Sequence, residues 1–174
     1  MVTLAVIAVL TGIALPALNL PGQRMRAATR ELMTTLAAAQ NRAVMNQHDV
    51  VVAFDTVAGT VRVHLDADND GLVDGGESVS LVALSDGVHF ARGAASPRAL
   101  GPKAVSATHE QDDLPALTFH RNGSVSEMAL LYLAPGTGAT TDPHADRVRA
   151  VEVERATGRA TCFRFTGSAW EAGC

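Results

Sequence analysis

Residues 66–77 read Asp-Ala-Asp-Asn-Asp-Gly-Leu-Val-Asp-Gly-Gly-Glu. Asp66, Asp68 and Asp70 stand at the first, third and fifth places of a calcium-loop pattern, and Gly71 stands at the sixth, where the chain must turn sharply. Leu72 offers a backbone carbonyl at the seventh place, Asp74 a carboxylate at the ninth, and Glu77 a bidentate carboxylate at the twelfth. Calcium takes six to eight hard oxygens, and carboxylates this crowded repel one another unless a cation joins them. These six residues are therefore candidate ligands for Ca2+. The competing reading is a metal-free, solvated hairpin turn made from Asp, Asn and Gly. Residues 61–65 precede the loop as a strand and residues 79–84 follow it as another. The loop thus belongs to a β-hairpin and not to a helix–loop–helix unit.

Other chemistry is sparse. The sequence has no Gly-x-Ser-x-Gly elbow, no His-Glu-x-x-His and no phosphate-cradling glycine loop. Its six histidines, at 48, 64, 89, 109, 120 and 144, are scattered and read as strand or surface residues. An enzyme is not the expectation, and no cofactor is required. Cys162 and Cys174 are the two cysteines. A loop of that size closes easily, so an oxidising compartment would make them a disulfide; otherwise they are two unpaired thiols.

The elements around these residues fall into two regimes. No charged side chain occurs before Arg24, and residues 1–20 are almost wholly apolar. About 20 such residues suffice to cross a bilayer core as a helix. A cleaved signal peptide would open with a positive region, and none is present. Burial inside a soluble domain would need more core than a chain of 174 residues provides. Arg24, Arg26 and Arg30 follow the segment, which by the positive-inside rule alone would place the rest in the cytoplasm. Met25, Ala28, Leu32, Leu36, Ala39 and Ala43 then recur three or four apart, the stripe of an amphipathic helix.

From Val50 onward the period falls to two. Apolar runs at 50–54, 60–65, 79–84, 88–90, 117–119, 125–133, 148–153 and 162–165 are separated by Gly and Pro. About eight short strands without intervening helices predict an antiparallel sheet or a two-sheet sandwich. Residues 92–113 and 134–146 lack a period and read as exposed loops. The fold class is α+β: a long N-terminal helix packed on an antiparallel head. Its expected parts are an apolar helix half at 1–23, an amphipathic half at 24–48 and a β-rich head at 49–174. The net charge of −4 and an aromatic content of 4% give no global support for a nucleic-acid partner.

The stretch from Val2 to Leu10, with Pro16 beyond it, resembles the apolar helix of type IV pilins and type II secretion pseudopilins. Arg30-Glu31-Leu32, followed by Ala37-Ala38-Ala39-Gln40-Asn41-Arg42-Ala43, resembles the GspH/FimT group within them. That group carries a basic leader ending in Gly and then a Phe-Thr-Leu-x-Glu-Leu segment. These features are not in the sequence, so Met1 is expected to be an internal methionine, with the leader supplying the missing cytoplasmic charge. The resemblance implies a minor pseudopilin, an assembly subunit of the type II secretion pseudopilus. The alternative is a minor type IV pilin acting in pilus assembly or DNA uptake. It further implies a single pass in the inner membrane, a periplasmic head, and other pilin-type subunits as partners through the N-terminal helix. Some relatives bind DNA through a Gly-Arg-x-Arg motif. Here Gly158-Arg159-Ala160-Thr161 keeps only the first arginine. Arg159 and Arg164 are the candidate DNA contacts, but Glu152 and Glu154 alternate with the local arginines and disfavour a phosphate-tracking face.

Overall fold

The structure, a computed structural model, describes residues 20–137, 140–141 and 144–174. The expected membrane-spanning half, with Pro16, lies almost wholly outside these residues. Among the described residues no helix is long and apolar enough to cross a membrane.

Helix α1, Leu20–Asn46, carries the predicted stripe. Met25, Ala28, Leu32, Leu36, Ala39 and Ala43 are all essentially inaccessible. The small residues in that stripe let the helix lie close to the strands beneath it. The helix stops at Gln47, which takes a left-handed φ of 60°. Side-chain amides of Asn46 and Gln47 donate to the carbonyls of Arg42 and Val44, and the Val44 carbonyl is among the last four, which have no partner further along the helix.

Eleven strands follow among the described residues: β1 Asp49–Asp55, β2 Thr60–Asp66, β3 Ser78–Ala83, β4 Val88–Phe90, β5 His109–Gln111, β6 Leu114–Phe119, β7 Ala129–Thr137, β8 Thr140–Thr141, β9 Arg149–Val153, β10 Ala160–Phe165 and β11 Trp170–Ala172. They form two antiparallel sheets. The first has the order β3-β2-β1-β6-β5, and the second the order β11-β10-β9-β7-β4, with β8 beside β7. Helix α1 packs on both sheets and seals the main core, with Val50, Val52, Phe54, Leu117, Phe119, Leu131 and Val151 beneath it.

The apolar runs of β1 and β7 have one cause. Each strand is covered on both faces. Along β7, Leu131 and Leu133 enter the main core, whereas Leu130, Tyr132 and Ala134 enter a second cluster with Ala150 and Phe165. Along β1, Val51 and Ala53 meet Ala116 on the face away from the helix.

The strand expected at 125–133 is shifted. Ala129 opens β7, and Val125 forms only an isolated bridge to Phe119. The N–H groups of Val125 and Ser126 donate to the carbonyls of Arg155 and Thr118, so this piece ties one sheet to the other before the strand begins. The two aperiodic stretches are also not wholly loop. Residues 109–111 form β5, and β7 continues past Ala134 to Thr137.

Candidate functional site

The acidic loop joins β2 to β3, which pair antiparallel from Leu65 opposite Ser78 to Thr60 opposite Ala83. Asp66 is the last residue of β2 and is only 2% exposed. Its Oδ1 accepts from the Asp70 N–H at 3.1 Å and its Oδ2 from the Gly71 N–H at 2.9 Å. Asp68 Oδ1 also accepts from Asp70 N–H, and Asp70 Oδ1 accepts from Leu72 N–H at 2.7 Å. These are Asx turns, in which a short acidic side chain substitutes for a backbone acceptor. Asn69 and Gly71 supply the left-handed turns, with φ of 62° and 80°. Asn69 Oδ1 then accepts from Asp49 N–H at 3.0 Å and fixes the loop to the start of β1. Burial pushes the Asp66 carboxyl pKa up, against the pull of its N–H donors.

The candidate ligands divide into two groups. One carboxylate oxygen each from Asp66, Asp68 and Asp70 lies within 4.8 Å of the others. Asp74 and Glu77 are not in that group. Leu72 and Asp74 are exposed. Glu77 turns the other way. Its Oε2 lies 2.5 Å from His64 Nε2 and accepts from the Asp74 N–H at 3.0 Å, and its Oε1 accepts from the Ala67 N–H at 2.7 Å. Two backbone donors, then His64, hold the Glu77 carboxyl down at about 2. His64 is fully buried in β2, and its Nδ1 meets Gln111 Nε2 at 3.1 Å. Gln111 also donates to the Gly71 carbonyl at 2.9 Å. A buried chain thus runs from the loop's turn through Gln111 and His64 to Glu77 and back to the loop. His64 and Gln111 were not singled out from sequence. His64 stands on the polar side of the β2 alternation, beside Arg62, where the sequence carries no sign that it is buried.

The family model for the type II transport protein GspH matches residues 28–157, most of the helix and most of the head. The chain belongs to the GspH family. As a GspH protein it is a minor pseudopilin of type II secretion. Its fold is similar to that of the minor pseudopilin EpsH from the type 2 secretion system of Vibrio cholerae. One EpsH structure aligns at 12% identity over 81% of this chain and 97% of that one, with a TM-score of 0.50. A second EpsH crystal structure aligns at 13% identity over 80% and 93%, with a TM-score of 0.49. None of the curated proteins matches the chain.

In this GspH head, Cys162 of β10 is bonded to Cys174, with Cα atoms 5.9 Å apart. The bond ties the chain's last residues, just past β11, back to β10. The two arginines weighed as DNA contacts differ. Arg164 is paired with Glu171 of β11 at 2.7 Å, whereas Arg159 is exposed. Glu152 is occupied by Arg98 at 2.9 Å. A strand carrying such mixed and partly neutralised charge is a weak track for phosphates.

Proposed function

We propose that this GspH protein acts mechanically, as an assembly subunit held in the inner membrane by its N-terminal segment with its head in the periplasm. In this reading the N-terminal helix leaves the lipid during assembly and packs against the helices of other pseudopilins, where apolar neighbours replace acyl chains. The carrying observation is the two-sided character of α1. One face is sealed against both sheets, and the opposite face, with Arg26, Arg30 and Glu31, remains exposed. An uncharged, apolar stretch leads directly into that helix. A helix embedded along one side only has a free side to offer to neighbours. The disulfide supports an oxidising compartment for the head.

The acidic hairpin serves, in the same reading, as a rigid connection between β2 and β3 that needs no cation. Its support is the set of internal hydrogen bonds and the commitment of Glu77 to His64.

Deleting the gene tests the role. The expected result is that type II substrates accumulate in the periplasm and that the plasmid-borne gene restores their release. Normal secretion with impaired piliation would transfer the protein to the type IV pilus. Normal behaviour in both would overturn the assembly role.

A further inference from the structure

A groove of about 630 Å3 runs between α1, from Arg26 to Ala37, and strand β10. Its floor is apolar, with Met33, Ala37, Ala160 and the Cys162–Cys174 disulfide. Its rim is basic. Arg26 and Arg30 border it from the helix, and Arg159 borders it from the strand. Among the described residues no Asp or Glu side chain lines it. More positive charge stands behind it. Arg149 is pushed below its ordinary pKa, first by burial and then by the charges of Arg26 and Arg164, with Asp146 opposing them. The nearest acidic compensation on β11, Glu171, is already held by Arg164.

This concentration of charge runs against the molecule as a whole, whose net charge is −4. A long polyanion approaching the groove meets that negative background over its full length. A short acidic segment meets only the local cations. The apolar floor suits the methylene stems of Glu side chains, and the three guanidinium groups suit their carboxylates in bidentate pairs.

We propose that this groove receives an acidic segment of a neighbouring protein subunit, with Arg26, Arg30 and Arg159 as its carboxylate anchors. The proposal rests on the assembly role and adds the chemistry of one contact within it. The helix and the disulfide-locked end of the head form the two walls, so the contact would bridge the helix and head of one subunit.

The test uses the full chain in a non-ionic detergent and a fluorescein-labelled octaglutamate peptide, followed by anisotropy at low salt. The expected result is saturable binding, weakened at least about tenfold in the R26E/R30E double variant, as the loss of two charge-assisted contacts requires. Arg121→Glu, on a turn outside the groove, leaves binding unchanged. The emission of Trp170 reports whether each variant is folded. The proposal is overturned if the peptide does not bind, or if the folded double variant binds as well as wild type. It is also overturned if a twenty-residue oligothymidylate binds more tightly than the peptide and is lost in the same variant, since the groove would then be a nucleic-acid site. A gene deletion without a secretion defect would remove the assembly role while leaving the peptide result standing, so the two failures are distinguishable.

Discussion

His64 Nε2 lies 2.5 Å from Glu77 Oε2, across the mouth of the β2–β3 hairpin, with the imidazole fully buried. Removing the ring leaves Glu77 and the side chain of Gln111 each short of a partner. His64→Ala is expected to lower stability by about 2–3 kcal/mol, the range for losing a buried hydrogen-bonded polar group. Urea unfolding of the two proteins at neutral pH measures it. A loss below 0.5 kcal/mol on that scale, about the error of a surface substitution, would show that the pair does not hold the hairpin.

The same carboxylate makes stability depend on acid. Glu77 titrates at about 2 in the folded chain, below its ordinary 4.5, so its ionised form favours the fold. That contribution is complete above pH 4.5 and disappears as the pH falls toward 2. Glu77→Gln cannot ionise. Its stability should fall less steeply across that window than the wild type's, with the two curves converging at the acid end. Parallel curves from unfolding titrations at a series of pH values would contradict the assignment.

Gln40 and Gly158 make a second joint. Gln40 Nε2 donates to the carbonyl of Gly123 at 2.7 Å and also to that of Thr157, so one helix side chain holds two turns of the head. Gly158 lies directly against it with φ of 63°, and an added Cβ would stand 2.6 Å from both Gln40 Nε2 and the Gly123 oxygen. Gly158→Ala therefore combines left-handed strain with a backbone clash, for about 2–4 kcal/mol. Gln40→Ala loses about 1–2 kcal/mol by leaving the carbonyls without their donor. Thermal unfolding of both variants checks the order. A Gly158→Ala protein as stable as wild type would mean that the joint is slack.

Those two joints show which parts of the molecule were legible in the sequence. The stripe from Met25 to Ala43 is periodic, and periodicity reports a buried face directly. In β2 the alternation finds Val61 and Val63 but not His64 and Asp66, which are buried on its polar side. Strands β5 and β11 are three residues each; His-Glu-Gln has no apolar place at all and Trp-Glu-Ala is a single alternation, too little for a period to register. In the acidic loop the order of residues matched a calcium pattern at every place. Which way Glu77 points was set by His64 and Gln111. Gln111 lies on β5, a strand remote in sequence, and no local reading contains it.

The C-terminal end offers an independent readout. Trp170, the only tryptophan, lies against Phe165 and Tyr132 and donates to the Ser96 carbonyl at 2.9 Å. The Cys162–Cys174 bond, 12 residues apart, closes the loop that carries it. Reduction, or Cys174→Ser, should cost up to about 3 kcal/mol, the value expected for a loop of roughly this length. Trp170 emission should shift to the red before global unfolding, because β11 is an edge strand with one neighbour. An unchanged emission spectrum in dithiothreitol would show that the ring cluster holds β11 without the bond.

Chelation addresses the acidic loop itself. Asp66 accepts from two backbone donors, Asp68 and Asp70 complete Asx turns, and Glu77 is bound to His64. Three convergent carboxylate oxygens are about half of what calcium ordinarily takes, and the residue at the twelfth place is turned away. A hairpin held in this manner should not depend on a cation. The melting temperature in a millimolar excess of EGTA is expected to match that in buffer, whereas a loop closed by a tightly bound ion would lose the binding free energy and melt earlier. A fall of several degrees, reversed by calcium and absent in Asp68→Asn, would show instead that calcium holds the loop and that His64 releases Glu77 to it.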